Sequence, residues 1–280
     1  MEIDGTKLLQ LLYRFTEHLD DSLSVVSLAH WGAHFSIEHV ELMELVLQDD
    51  FAPMGSKPTA EQKAEAAKRA QFAKREKERG FPLLHGQALM GMWGVLEAFV
   101  EDFCVFCLEN FPESLRSASL KKIKISLSDF MGFSESDRLR YLVTEIQREK
   151  KVGLRSGIAV FEDLLNSIEI SGEPQSRLAG EVDRRVRDLL YEAQQIRNAL
   201  AHRSGIADRR LCEACPNLRL IPGQRILLSL DYIETLDAAI RVYVLTILNR
   251  VLSITGKSPL MESPPGFEGA LNVKYPPPVM

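Results

Sequence analysis

The chain has no apolar run clean enough to cross a bilayer, no cationic leader, no excess of basic charge and only four cysteines. Each shortage excludes a class of function. The two most apolar stretches, LMGMWGVLEAFVEDFCVFCLENF and DYIETLDAAIRVYVLTILNRVL, are broken by Glu97, Glu101, Asp102, Asp237 and Arg241, so neither reads as a membrane span. They read instead as buried helices of a soluble protein with no membrane partner. The N-terminal TKLLQLLYRF is too interrupted for a secretory leader, and a cytoplasmic location is the expectation. A net charge of −5 excludes a broadly basic nucleic-acid coat and leaves room for a local basic patch.

The four cysteines fall into two C-x-x-C pairs, Cys104/Cys107 and Cys212/Cys215, a spacing that raises the question of a four-thiolate zinc site. The first pair lies in a strongly apolar stretch, where a free thiol behaves as a small hydrophobe. The second sits in an expected loop before Pro216 and is the better placed for a metal or redox role. Without secretion, disulfides are not expected. His30, His34 and Glu38 recur by fours on one helix and form a further metal candidate, although helical His and Glu are ordinarily surface residues.

What is abundant is helical periodicity. With 280 residues and 45% hydrophobic content, the chain can bury a sizeable core. Apolar residues at Leu8, Leu11, Leu12 and Phe15, and again at Val40, Met43, Val46 and Leu47, predict two helices before Asp50. FAPMGSKPT breaks the pattern, and AEQKAEAAKRAQFAKREKERG predicts a charged helix stopped by Gly80. Further helices are predicted from Pro82 to near Asn110, from Ser136 to Lys150, from Gly157 to Ser167, from about Glu181 to Arg203, and from an Asp231 N-cap onward. SLKKIKISLSDFMGF suggests a short helix or irregular chain, SGEPQS a turn, and RILLSL the one convincing strand. The fold class is therefore all-α, a helical bundle in which 1–80 is an N-terminal extension, 81–256 the bundle and 257–280 a Pro-rich extended tail.

One helix carries the chemistry. Val182, Val186, Leu189, Ala193, Ile196 and Leu200 make an apolar stripe, so Arg187, Tyr191, Gln194, Asn198 and His202 fall on the opposite face, with Arg197 on the flank. Asn198 and His202 stack one turn apart. An Arg, an amide and an imidazole within a turn and a half are groups that bind phosphate and move protons. Near a helix C-terminus the same cations also complement the dipole, ahead of the Ser204-Gly205 stop. The upstream helix has Glu97 amid its stripe of Trp93, Val100, Cys104 and Leu108, where a buried carboxylate needs a partner, with Arg197 and His202 the candidates; the alternative is a stripe only partly buried, from which Glu97 reaches solvent.

RNALAH, Arg197 to His202, resembles the Arg-polar-x3-His signature of HEPN (higher eukaryotes and prokaryotes nucleotide-binding) domains, and GVLEAFVEDF resembles the Leu-Glu-Ala-aromatic helix of their ribonuclease-type members. The resemblance spans about Phe81 to Ile254. It implies a HEPN-like helical bundle that dimerises with the two Arg-x4-His motifs facing each other, and a metal-independent endoribonuclease needing no cofactor. Arg197, His202 and Asn198 would then be catalytic, Glu97 supporting, and Tyr191, Arg187 and Gln194 substrate-binding. RNA and a second copy are the implied partners. Toxin and defence effector are roles that suit such an activity, with an antitoxin or other regulatory protein as a further partner. The reading from another class is a non-catalytic module that binds nucleotides, RNA or a protein through the same cluster.

Overall fold

In a computed structural model of the chain, residues 3–48, 59–149, 156–170 and 180–260 are described. Among them the architecture is all-helical with no strand. The FAPMGSK break, SGEPQS and the Pro-rich tail beyond residue 260 lie outside the described residues.

α1 (Gly5–Gln48) is one helix of 44 residues where two were expected. Nothing between those residues is a proline, and Gly32, though unfavourable by about 1 kcal/mol against alanine, does not end a helix packed on both neighbours. α2 (Ala60–Glu78) opens on a reciprocal capping box between Thr59 and Gln62. A tight turn follows, with Gly80 and Phe81 both left-handed (φ 74° and 57°), and α3 (Pro82–Asn110) starts with proline in its first turn. Glu76 of α2 accepts from Leu83 N (3.2 Å), satisfying one of the free N–H groups at the start of α3.

α3 is the axis of the molecule. It carries the expected stripe of Trp93, Val100, Cys104 and Leu108 and buries a second face of Leu89, Met92, Leu96, Phe99 and Phe103. Those two faces let it pack against α1 on one side and against α5 (Glu135–Glu149), α7 (Arg184–Arg203) and α9 (Leu230–Ile254) on others. α4 (Leu127–Gly132) and α6 (Ala159–Ser167) are short, the first within the mixed stretch where a short helix was expected. Leu8, Leu11, Phe15, Leu19 and Val26 of α1 join the same continuous core as the later helices.

Two local expectations are corrected. RILLSL is extended but not a strand: Arg225 makes a single antiparallel bridge to Ile206, and the chain enters α9 at Leu230. One bridge, with Ile226 N bonded to Gly205 O (2.8 Å), leaves the segment no sheet to join. The cap of α9 is Ser229, whose hydroxyl accepts from Tyr232 N (3.1 Å), rather than Asp231. Asp231 sits in the first turn, where its charge faces the positive end of the helix.

Candidate functional site

α7 begins where Asp183 caps it, its carboxylate accepting from Arg185 N (2.8 Å). Val182, Val186, Leu189, Ala193 and Ile196 are buried as the stripe requires, while Leu200 is half-buried and lies 3.2 Å from where Cβ atoms on Gly86 and Gly205 would stand. The helix stops at a left-handed Ser204 followed by Gly205 (φ 73°), and the Ser204 and Gly205 N–H groups both turn back to Ala199 O. Pairing of 205–207 with 223–226 then pins this end, so the C-terminal turn carrying His202 is held from both sides.

This turn forms one wall of a cleft of about 620 Å³. α7 contributes Gln194, Gln195, Arg197, Asn198, His202 and Arg203, α3 contributes Glu97, the first turn of α6 and the chain before it contribute Val160 and Ser156, and Asp208, Arg210 and Leu211 come from α8 (Arg209–Ala214) and its cap. The Trp93 indole N–H donates to Glu97 Oε1 (2.8 Å), which fixes the carboxylate along α3. Its other oxygen, Oε2, stands 3.8 Å from Arg197 Nη2, an ion pair without a direct hydrogen bond. Arg197 Nη1 donates to Asn198 Oδ1 (3.3 Å). Glu97 is not desolvated in the core: its side chain is 41% exposed at the cleft edge, so burial is not what it needs to offset. The His202 imidazole is exposed, with no hydrogen bond among the described residues, and is free to meet a ligand or a second chain.

Of the residues read from the sequence, Glu97, Gln194, Arg197, Asn198 and His202 come together here; Arg187 and Tyr191 do not line the cleft. Arg187 pairs with Glu181 (3.0 Å) at the start of α7. Tyr191 is half-buried, and its backbone is where a Cβ on Gly157 would collide at 3.0 Å, a close approach only glycine permits at φ 66°. Gly157 N also donates to Gln194 Oε1, so Gln194 buttresses the α6 entry as well as facing the cleft. Sequence reasoning missed Arg203, Asp208 and Arg210. Asp208 had a signal, as the capping residue of a short helix, but the two arginines look like ordinary surface charge.

The metal candidates stand apart from this cleft. Cys104 and Cys107 are core residues of α3, and burial pushes both thiols up, away from the thiolate a metal needs. Burial, with Glu192 beside it, pushes the Cys215 thiol up to about 12, and Cys212 is raised as well. His30 packs on Phe81 and His85, while His34 Nδ1 faces the Lys77 ammonium at 3.2 Å, a cation where a metal would stand. Among the described residues no group of three or more His, Cys, Asp or Glu is placed to hold a metal ion. Nor is any helix among them long and apolar enough to cross a membrane.

No protein-family model, curated protein or solved structure matches the chain. Fold and site together define a class no narrower than an all-helical protein with a guanidinium-rich polar cleft at the C-terminal end of one helix.

Proposed function

We propose that the protein is a metal-independent endoribonuclease of the HEPN type, active as a homodimer that brings two His202 imidazoles to one RNA phosphate. The observation that carries this reading is the single cleft in which Arg197, Asn198 and an unengaged His202 face the same space as Glu97. In the reaction, a neutral His202 takes the proton of a ribose 2′-OH, whose oxygen bonds to the adjacent phosphorus. The P–O5′ bond breaks, and the protonated His202 of the second copy delivers its proton to the leaving O5′. A 2′,3′-cyclic phosphate and a 5′-OH result. Arg197 binds the phosphate and stabilises the pentavalent charge, and Asn198 holds the guanidinium in the cleft. Glu97, tied to Trp93, orients Arg197. Arg187 and Tyr191 lie about 22 and 16 Å from His202 along the helix, within reach of a longer strand rather than of the reacting phosphate.

The test is incubation of purified protein with a structured RNA and a tRNA pool, with and without EDTA, beside His202→Ala and Arg197→Ala. Cleavage is expected to survive chelation, to leave cyclic phosphate ends, and to fall at least about 10²-fold in each variant at unchanged melting temperature. Full activity in either variant removes the assignment. A second reading, phosphate binding without cleavage, is favoured by one observation: each chain offers a single imidazole in the cleft. Wild-type dimer that binds RNA and leaves it intact would decide for that reading.

A further inference from the structure

The cleft is lined by one guanidinium more than its carboxylates balance. Arg197, Arg203 and Arg210 line it with only two carboxylates, Glu97 and Asp208. Glu97 is matched to Arg197 and Asp208 to Arg203, each pair at 3.8 Å. Asp208 is engaged on its other oxygen too, because Oδ1 accepts from Leu211 N (2.8 Å) to cap α8. Arg210 is therefore the surplus cation: it is exposed, and no hydrogen bond or ion pair holds it among the described residues. In a chain of net charge −5, an unbalanced guanidinium on a polar cleft is where an anion gains most.

The backbone that carries Arg210 is anchored on both sides. Leu211 beside it is buried, and so is Ala207 just before the cap. Ala207 donates to Gln224 O and accepts from Gly223 N, both at 2.8 Å. A long cation on an anchored backbone can close on a ligand without reorganising the fold, which suits the neighbour of a reacting group.

We propose that Arg210 forms a second phosphate subsite beside Arg197 and His202, so that the cleft takes a polynucleotide strand through at least two consecutive phosphodiesters rather than a mononucleotide. This rests on the reading that the cleft binds nucleic-acid phosphate. Arg197 takes the reacting phosphate and Arg210 its neighbour. The α8 end of the cleft is then the direction in which the strand continues.

The experiment measures equilibrium binding of fluorescent, uncleavable 2′-O-methyl oligonucleotides carrying one, two or four phosphodiesters to the full chain. Wild type is compared with Arg210→Ala, Arg210→Lys and Arg197→Ala. Wild type is expected to bind the two-phosphate probe about tenfold more tightly than the one-phosphate probe. Arg210→Ala should bring that ratio to about one and make the salt dependence for the four-phosphate probe shallower by about 0.7 in log–log slope, the loss of one contact on a single strand. Arg210→Lys, keeping charge without the fork, should recover part of the step. Arg197→Ala should weaken all three probes and keep the step. Arg210→Ala that retains the tenfold step overturns the subsite. A length step that depends on Arg210 in a protein that cuts no RNA leaves the subsite standing while the nuclease reading falls, and absence of binding to every probe overturns both.

Discussion

At the scale of single residues, the site depends on a short relay from the core to the cleft. Trp93, fully buried, holds one oxygen of Glu97, and the other oxygen is left facing Arg197. Glu97→Gln keeps an acceptor for the indole and removes the charge. Because Glu97 and Arg197 are 41% and 32% exposed, their attraction is screened and worth about 0.4–1 kcal/mol. RNA cleavage by Glu97→Gln is therefore expected to drop about two- to fivefold in kcat/KM, with a fall in melting temperature of no more than about 4 °C. A loss as large as that of His202→Ala would make Glu97 a proton carrier instead. A partly buried network lies elsewhere. Arg250 donates to Glu162 Oε2 (2.9 Å) and, from Nε and Nη2, to Gly180 O, while the Tyr243 hydroxyl donates to Glu162 Oε1 (3.0 Å). Arg250→Met strands the Gly180 carbonyl and the Glu162 charge. With Glu162 itself part-exposed, this should cost about 2–4 kcal/mol, seen as a drop of about 4 °C or more in calorimetry. Wild-type stability in that variant would show the network to be dispensable.

At the scale of elements, α1 is held on α3 partly through two imidazoles. His85 Nδ1 donates to Leu228 O (2.6 Å), its ring lies 5.2 Å from that of His30, and the Nε2 atoms of both are buried without a partner among the described residues. Burial holds both below the ordinary histidine value of 6.5, and for His30 the neighbouring His85 and His34 lower it further. The unfolded chain then takes up protons first as the pH falls. Stability is fully present above about 6.5 and is lost below it, toward the lowered folded-state values. Melting temperature should decline between pH 7 and 5, and His30→Phe, which keeps an aromatic ring against Phe81, should flatten that decline. An equal slope in wild type and variant would place the sensitive groups elsewhere. Helix periodicity identified most of these elements, because 3.6-residue patterning is local. It failed at α1, where continuity depends on α2 and α3 lying alongside, and at RILLSL, where β-propensity needs a neighbouring strand and none is supplied among the described residues.

At the scale of the whole molecule, one chain supplies a cleft with a single imidazole, and the proposed chemistry needs two. If the site is shared, His202→Ala chains mixed into wild type and allowed to exchange should poison it. At a one-to-one ratio, activity should fall to about a quarter of that of wild-type dimer rather than to half, the fraction of dimers with both histidines under random pairing. A fall to half would mean that each chain acts alone. The sequence by itself determined that the protein is helical, that α3 and α9 are core elements, and that Asn198 and His202 share a face, since burial and spacing along one helix are local properties. Only the tertiary structure decided the composition of the cleft. Glu97 and Arg197 are a hundred positions apart, and Asp208 and Arg210 reach the site because the 205–207 and 223–226 segments pair and fold α8 back beside α7. Which polar residues of a helix face meet a distant partner depends on how whole elements pack, and no periodicity within one element carries that information.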